Sequence, residues 1–352
     1  METRESRFIR ACRGEPHDTI PVWFMRQAGR YQPSYRALRQ RYSMLQLART
    51  PAFIRDITVR PVEELGVDAA ILFSDIMIPL SSLGIDFDIQ ENVGPIVGQP
   101  VRTWQDVDRL RPFQARDVDF VFEGVQRTVE SLHGVPLIGF SGAPFTLASY
   151  LVEGGPSRTY RRTKHMMWQE PETFDRLMDA LGRMVVGYVK KQVEAGASAL
   201  QIFDSWIGSL AREDYERAVL PHMRRIFQEL EALGVPLIYF GVGTQHLLPL
   251  MASTGATVLG IDWRTPLAEV RSLLGPQMTL QGNLDPERIT AGSKAAEAWA
   301  EAICRAMQND FRFVFNLGHG VPKESEPSVL KRVVDRVHAM GIQTHADGGE
   351  AV

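Results

Sequence analysis

Residues 20–31 read Ile20-Pro21-Val22-Trp23-Phe24-Met25-Arg26-Gln27-Ala28-Gly29-Arg30-Tyr31. An apolar run stops at an arginine and enters a short loop of small residues. A first strand that served a dinucleotide would run into GxGxxG instead, and none follows here. Comparable apolar runs recur at Ala69–Ser74, Pro136–Ser141, Ala199–Asp204, Pro236–Gly241, Thr257–Asp262, Met278–Gly282 and Arg312–Asn316. Most are nearly continuous in apolar residues, the pattern of strands buried on both faces. Segments of helical periodicity lie between them, clearest at Glu172–Ala195, Arg212–Leu233, Lys294–Met307 and Ser328–Met340. Eight strand signals alternating with helices predict an α/β fold, a (β/α)₈ TIM barrel, over its rival, the doubly wound open sheet.

The 352 residues are enough for one such barrel. The best linker candidate, Asn92–Pro100, is loop-like but short, so residues 1–352 are expected to form a single domain. Gly348–Val352 and Met1–Phe8 are expected to fray. A formal net charge of -3 gives no global basic field for nucleic acid. The two cysteines, Cys12 and Cys304, stand far apart, which fits a reducing compartment and rules out a cysteine-rich metal site. The first residues are charged and lack the apolar core of a signal peptide, and no run of about 18 apolar residues predicts a membrane span. Together these features predict the cytoplasm.

In a barrel of this kind, function sits at the C-terminal ends of the strands. Arg26 and Arg30 flank the first loop, with Arg36 and Arg39 following. At that place an arginine pair reads as carboxylate or phosphate recognition in preference to a solvated basic loop. Gly29 is expected to supply a sharp turn between them. Asp75 follows Phe73 and Ser74 among Ile71, Leu72, Ile76 and Met77, where an unsatisfied carboxylate is costly. It reads equally as a capping or rim hydrogen-bonding group and as a carboxylate offered to a ligand. Small residues in Ser141-Gly142-Ala143 would let a flat ligand approach and offer backbone N–H donors. Tyr150 lies one turn beyond Thr146 if a helix begins there, and alone it reads as a core or rim tyrosine. Asp204 and Ser205 either bond a ligand or cap the next helix. Asp262-Trp263-Arg264 and Gln281-Gly282-Asn283 read as polar networks that join neighbouring strands. His319, between Gly318 and Gly320 at the last strand end, reads as functional.

HExxH, paired CxxC, Walker A and GxSxG motifs are absent. His319 has no His or Cys nearby at metal-ligand spacing. The remaining set suits an anionic, nitrogen-bearing ligand and charge-stabilising chemistry without a metal.

Two long segments carry a family resemblance. Residues 21–31 resemble the N-terminal signature of the uroporphyrinogen decarboxylase family, and Gly139-Phe-Ser-Gly-Ala-Pro-Phe-Thr-Leu-Ala-Ser-Tyr-Leu-Val-Glu-Gly154 resembles its second. Phe73-Ser-Asp-Ile76, Gly282-Asn-Leu-Asp-Pro286 and Asn316-Leu-Gly-His-Gly320 resemble further family segments, from about Arg7 to Met340. The resemblance implies a (β/α)₈ homodimer with no cofactor and no metal. Its small-molecule substrate would be uroporphyrinogen III, converted to coproporphyrinogen III with loss of four CO₂ in haem and related tetrapyrrole synthesis. It also implies roles: Asp75 for the central pyrrole N–H groups, and Arg26 and Arg30 for substrate carboxylates. Tyr150, Ser205 and His319 would be polar residues of the cleft, Phe140 an apolar wall and Arg39 a further arginine of the first loop. The sequence departs from the family at Gln32-Pro33-Ser34, where Leu-Pro-Glu is frequent. Trp206 also replaces a histidine of some members, so no role carries over to that position.

On this reading, protonation of a pyrrole ring carbon creates the electron sink for CO₂ loss, and ionised Asp75 stabilises the cation. The catalytic set is then Asp75, Arg26, Tyr150 and His319. Arg26, a guanidinium that does not readily give up its proton, is a poor acid. The proton donor is therefore a water, a substrate acid or His319. Two rivals stand beside it: a cobalamin-dependent methyltransferase, which needs zinc on Cys and His, and a non-catalytic tetrapyrrole carrier.

Overall fold

The apolar runs assemble into one curled parallel sheet in a computed structural model that describes residues 6–90 and 93–341. β1 (Ala70–Ile71) precedes a separate antiparallel hairpin of β2 (Phe87–Gln90) and β3 (Gly94–Val97). The sheet continues through β4 (Leu137–Gly142), β5 (Ala199–Asp204), β6 (Leu237–Gly241), β7 (Val258–Gly260), β8 (Thr279–Leu284) and β9 (Phe313–Leu317). Its order is β1-β4-β5-β6-β7-β8-β9, every pairing parallel. The expected TIM-barrel architecture is present, with helices packed around the strands.

The first apolar run closes the ring in an unexpected way. It makes only an isolated parallel bridge, Val22 with Phe315. Four successive N–H groups show why. Trp23 donates to the Phe315 carbonyl at 3.3 Å. Val22 instead donates to Asp68 Oδ2 at 2.7 Å, Phe24 to Gln27 Oε1 at 3.1 Å and Met25 to Asn316 Oδ1 at 3.1 Å. Side chains thus stand in for most of the ladder, which keeps these buried donors satisfied. On the other flank, Asp68 N–H donates to the Val22 carbonyl and Gln27 Nε2 to the Ala69 carbonyl. The segment is therefore tied to β9 on one side and to the entrance of β1 on the other.

The barrel interior is partly polar. Trp23 Nε1 donates to Gln281 Oε1 at 2.9 Å, and Gln281 Nε2 donates to Gln201 Oε1 at 3.0 Å. This chain links the first segment, β8 and β5 across the axis, as expected of a strand-joining network at Gln281. By alternation Gln201 and Phe203 point inward, and Ile202 and Asp204 point outward. At the N-terminal end, Thr279 Oγ1 donates to the Cys12 carbonyl of the helix Arg7–Arg13.

Several expectations are corrected. Residues 94–97 of the candidate linker Asn92–Pro100 are a hairpin strand, while Asn92 lies outside the described residues. The expected helix Arg212–Leu233 is two helices, Arg212–Ala218 and Leu220–Glu231, because Pro221 lacks the N–H that would carry the first helix onward. Phe8 does not fray: it is wholly buried in a helix whose N-cap Ser6 Oγ accepts from Ile9 N–H. Residues 1–5 and Gly348–Val352 lie outside the described residues. β1 is shorter than expected because Thr58 Oγ1, on the preceding helix, takes the Phe73 N–H at 2.9 Å.

Asp68 is the most connected group of the seam. Beyond Val22 it accepts from His338 Nε2 at 2.7 Å, on the helix Pro327–Met340, and from Arg7 Nη1 at 3.2 Å. Its removal leaves the Val22 N–H and the His338 ring without this acceptor, and leaves Arg7 with Asp18 alone. Asp68→Ala is expected to lower unfolding free energy by about 3 kcal/mol. Denaturant unfolding at neutral pH reads this, and a change below about 0.5 kcal/mol would show that the seam does not depend on Asp68.

Candidate active site

The residues that end the inward-facing strands gather over one end of the barrel. Arg26 follows the pinned segment and takes a left-handed backbone conformation, φ +59°. The sharp turn expected at Gly29 is therefore made at Arg26, at a steric cost to a non-glycine residue. Its neighbours hold it there. Gln27 is wholly buried, its N–H donates to the Phe24 carbonyl, and its own carbonyl accepts from Tyr31 Oη at 2.6 Å. Val321 N–H donates to the Met25 carbonyl at 2.8 Å. Gly29 gives room there, since a Cβ would approach the Arg26 carbonyl to 3.2 Å, a tight contact.

Arg26 and Arg30 are both exposed, and neither makes an ion pair or a side-chain hydrogen bond among the described residues. Arg36 does different work: its Nη1 donates to the Arg30 and Tyr31 carbonyls and braces the loop. Arg39 Nη1 donates to the Tyr42 carbonyl at 2.7 Å. The charges of Arg39 and Arg30 both reach the Tyr35 hydroxyl, which also feels Asp75. Tyr35 packs edge-on against Phe73 at 5.7 Å, so it lies between the first loop and the end of β1.

Asp75 meets the hydrogen-bonding reading of its sequence position. Oδ1 accepts from Met77 N–H at 2.9 Å and so shapes its own turn. Oδ2 accepts no hydrogen bond among the described residues. Burial pushes the carboxyl pKa up, while the Met77 N–H and the Arg26 guanidinium pull it back. A part-buried carboxylate with one free oxygen beside an unpaired arginine is poised for an N–H-bearing or cationic partner.

Tyr150 sits on the helix Pro144–Glu153, which begins where expected. Burial pushes its hydroxyl up to about 12, with Asp75 raising it further and Arg26 opposing. It stays protonated at neutral pH and is a donor. His319 lies edge-on to Trp263 at 6.3 Å. The flanking glycines are dictated by contact: a Cβ on Gly318 would meet Trp263 N at 2.3 Å, and one on Gly320 would meet Arg26 Cδ at 2.4 Å. Burial, then Arg26 and Arg264, push the His319 pKa down to about 4, against Asp262. The imidazole is neutral at pH 7. Arg26 thus acts on Asp75, Tyr150 and His319 together, which places all three around one guanidinium.

The wall is aromatic. Phe140 on β4 lies edge-on to Phe203 on β5 at 5.4 Å, and Phe203 edge-on to Phe240 on β6 at 6.0 Å. Gln192 clamps the Phe140 backbone, accepting from its N–H and donating to its carbonyl. Ser205 stands half-buried in the turn after β5. Trp206 packs against Tyr150 at 6.1 Å and Tyr160 at 5.6 Å. Trp206, Tyr160, Tyr35 and Phe203 were not anticipated at the site. An aromatic run beside Asp204 was the available signal for Phe203 and Trp206, whereas Tyr160 owes its place to a left-handed backbone, φ +53°.

Asp204 neither faces the mouth nor caps the helix that follows it. It points outward, wholly buried, and accepts from Thr146 Oγ1 at 2.7 Å and Tyr239 Oη at 2.9 Å. Burial pushes its pKa up to about 7 against those two hydrogen bonds and the Thr146 N–H. The N–H donors expected from residues 141–143 are not all free, since Ala143 N–H donates to the Phe203 carbonyl at 2.8 Å. The strand-joining reading of residues 262–264 and 283 is met: Asp262 Oδ2 accepts from Gly243 N–H, and Asn283 Nδ2 donates to the Asp262 and Thr265 carbonyls.

Cys12 and Cys304 lie on helices, both buried, and burial pushes the Cys304 thiol up to about 12. Neither is at the mouth. Among the described residues no group of three or more His, Cys, Asp or Glu is arranged to hold a metal ion. No described helix is long and apolar enough to cross a membrane.

Comparisons with known proteins bear on the family and the fold. A family model described as uroporphyrinogen decarboxylase (URO-D) matches residues 3–340. The chain is 48% identical over 336 residues to a uroporphyrinogen decarboxylase of Streptomyces coelicolor, covering 96% of this chain and 95% of that one. It is 46% identical over 336 residues to one of Sorangium cellulosum, covering 95% and 96%. Among solved structures, a methyltransferase from Methanosarcina mazei superposes with a TM-score of 0.80 at 17% identity, over 97% of this chain and 99% of that one. A B12-independent methionine synthase from Shewanella gives 0.58 at 10% identity, over 92% and 95%. At these identities the two structures share the fold alone.

The depressed pKa of His319 has a definite sign. Between about pH 6.5 and 4 the unfolded chain binds a proton at His319 that the native chain refuses, so acidification through that window costs native stability. His319→Gln is expected to flatten that part of the pH–stability curve. An NMR titration of the His319 ring is expected to give a midpoint near 4, and a midpoint at or above about 6.5 would contradict the electrostatics described.

Proposed function

The chain belongs to the uroporphyrinogen decarboxylase family, and from that premise we propose that it converts uroporphyrinogen III to coproporphyrinogen III by removing the carboxyl groups of its four acetate side chains. The observation that carries the assignment to these residues is the free Oδ2 of Asp75. It stands next to Arg26 over an aromatic wall, where a ring of pyrrole N–H donors would find an acceptor.

The chemistry needs a sink for the electron pair of the C–C bond. A proton added to the pyrrole carbon adjacent to the acetate-bearing one makes the ring cationic. The bond to the carboxylate then breaks, CO₂ leaves, and the pair neutralises the ring as an exocyclic methylene. A proton on that methylene and loss of the first ring proton restore the pyrrole with a methyl group. One proton replaces one CO₂, with no oxidant or reductant. In its ionised form, which the Met77 N–H and Arg26 favour against burial, Asp75 stabilises the cationic ring, an effect of about 3 kcal/mol for a well-placed group. Arg26 and Arg30 bind substrate carboxylates, and Arg39 extends that positive rim. Tyr150 and Ser205 donate hydrogen bonds, and Phe140 supports one face of the macrocycle. His319, neutral at pH 7, orients a carboxylate or water and is no standing acid, so the proton comes from water or from a substrate carboxylic acid.

The remaining parts of the reading rest on family resemblance and on general features of the sequence. Residues 1–352 are read as one barrel domain that acts in the cytoplasm as a homodimer and requires no cofactor.

Anaerobic incubation with chemically reduced uroporphyrinogen III, with and without chelator, tests the activity through the carboxyl number of the oxidised products. Four-carboxyl product in both samples is expected, and undiminished eight-carboxyl substrate beside an active control would refute the assignment. Asp75→Asn keeps the Met77 contact and the shape but not the charge. It is expected to fold normally and to lose turnover by about 100-fold or more. Near-normal turnover would remove Asp75 from the mechanism.

A further inference from the structure

Beside His319, between the loops after β6 and β7, lies a cleft of about 320 Å³ lined by Gly243, Gln245, His246, Asp262, Arg264 and Thr265. It is too small for a tetrapyrrole macrocycle and has room for one acidic side chain of it. Arg264 is its cation. The guanidinium stacks on the Trp263 ring at 3.9 Å, and Nη1 meets Asp262 Oδ2 at 2.6 Å. Stacking and one ion pair fix the plane of the fork, while Nε and Nη2 have no acceptor among the described residues. Half of the side chain surface is open, 51%, whereas Asp262 is 2% exposed.

Asp262 offsets part of this charge but leaves Nε and Nη2 open to an incoming anion. Its carboxylate is already occupied by Gly243 N–H, Arg264 N–H and Arg264 Nη1. Arg264 and Asp262 act on His319 in opposite senses, the arginine the more strongly. His246 offers Nε2 to the Leu210 carbonyl at 2.8 Å, so that ring edge is held back from the cleft. Trp263 carries the connection, since its ring supports Arg264 on one side and meets His319 on the other.

We propose that Arg264 is a binding residue for a peripheral carboxylate of the substrate, forming a second anionic subsite across His319 from Arg26 and Arg30. The proposal rests on the reading of the substrate as a porphyrinogen bearing acetate and propionate arms. Arg26 and Arg30 hold carboxylates on one side of Asp75, and Arg264 holds one arm on the opposite rim. It thereby selects for substrates that carry acid at that edge. The fork presents two unpaired N–H-bearing nitrogens in one plane, the geometry a carboxylate takes up.

The test uses Arg264→Gln and Arg264→Lys in the full chain. Gln removes the charge, whereas Lys keeps the charge and can keep the ion pair to Asp262. With uroporphyrinogen III, Arg264→Gln is expected to raise KM about tenfold while kcat stays within about twofold, and Arg264→Lys to recover part of the loss. A residue that only braced Asp262 would lower kcat and melting temperature with KM unmoved, and that result overturns the proposal. An unchanged KM in Arg264→Gln overturns it as well. Wild-type turnover in the same series tests the underlying reading separately. Fluorescence quenching by oxidised uroporphyrin, which needs no turnover, supplies a second readout. Weaker binding by about tenfold in Arg264→Gln supports the subsite, and equal binding of wild type and variant overturns it whether or not the chain decarboxylates.

Discussion

The carboxylate of Asp68 and two other side-chain acceptors close this barrel. A parallel sheet that curls into a ring must satisfy both edges of its first strand. Here the first strand is too short of ladder partners to do so by backbone alone, because Pro21 has no N–H and the chain turns abruptly at Arg26. Asp68, Gln27 and Asn316 supply the missing acceptors for Val22, Phe24 and Met25. Two consequences follow from that constraint. The seam is joined to the first and last helices through Arg7 and His338, so the chain ends of the described fold meet at one carboxylate. The seam also delivers Arg26 to the mouth with its backbone held left-handed, pinned on both sides by bonds that do not involve its own side chain. The guanidinium is left free because everything around it is fixed.

The electrostatics of the mouth combine burial with that free guanidinium. Asp75 is part-buried and would drift toward its neutral form, yet it is restrained by a backbone N–H and by Arg26. Tyr150 and His319 feel the same guanidinium: burial keeps the tyrosine protonated against it, while burial and the guanidinium together keep the histidine uncharged. On the proposed reading, a substrate with many carboxylates would meet positive charge at the rim, while its cationic intermediate would meet a carboxylate at the centre. Opposite charges are thus separated by position instead of being paired, and in a region of restricted solvent that separation carries weight.

Much of this was readable in the sequence, because buried parallel strands write continuous apolar runs and barrel function collects where those runs end. Ala199–Asp204 appears as a strand with those same bounds, and Asp75, Tyr150 and His319 all reach the mouth. What the residues could not convey was direction and backbone strain. Asp204 stands at a strand end like Asp75, yet alternation turns it outward to Thr146 and Tyr239. A glycine in the first loop suggested the turn, while packing against Gly320 and the seam moved it to Arg26. Trp206 and Tyr160 come together only because two segments far apart in the chain fold over the same helix end. The hairpin of β2 and β3 escaped notice because its second strand contains the glycine and proline of a loop.

The central claim is that Asp75 receives the pyrrole N–H groups of the macrocycle while the first-loop arginines receive its carboxylates. A crystal structure of the protein with coproporphyrinogen III bound under anaerobic conditions addresses it most directly. The account predicts pyrrole nitrogens within hydrogen-bonding distance of Asp75 Oδ2 and side-chain carboxylates on Arg26 and Arg30. A tetrapyrrole seated elsewhere, or bound at the mouth with Asp75 Oδ2 facing no N–H, would contradict it.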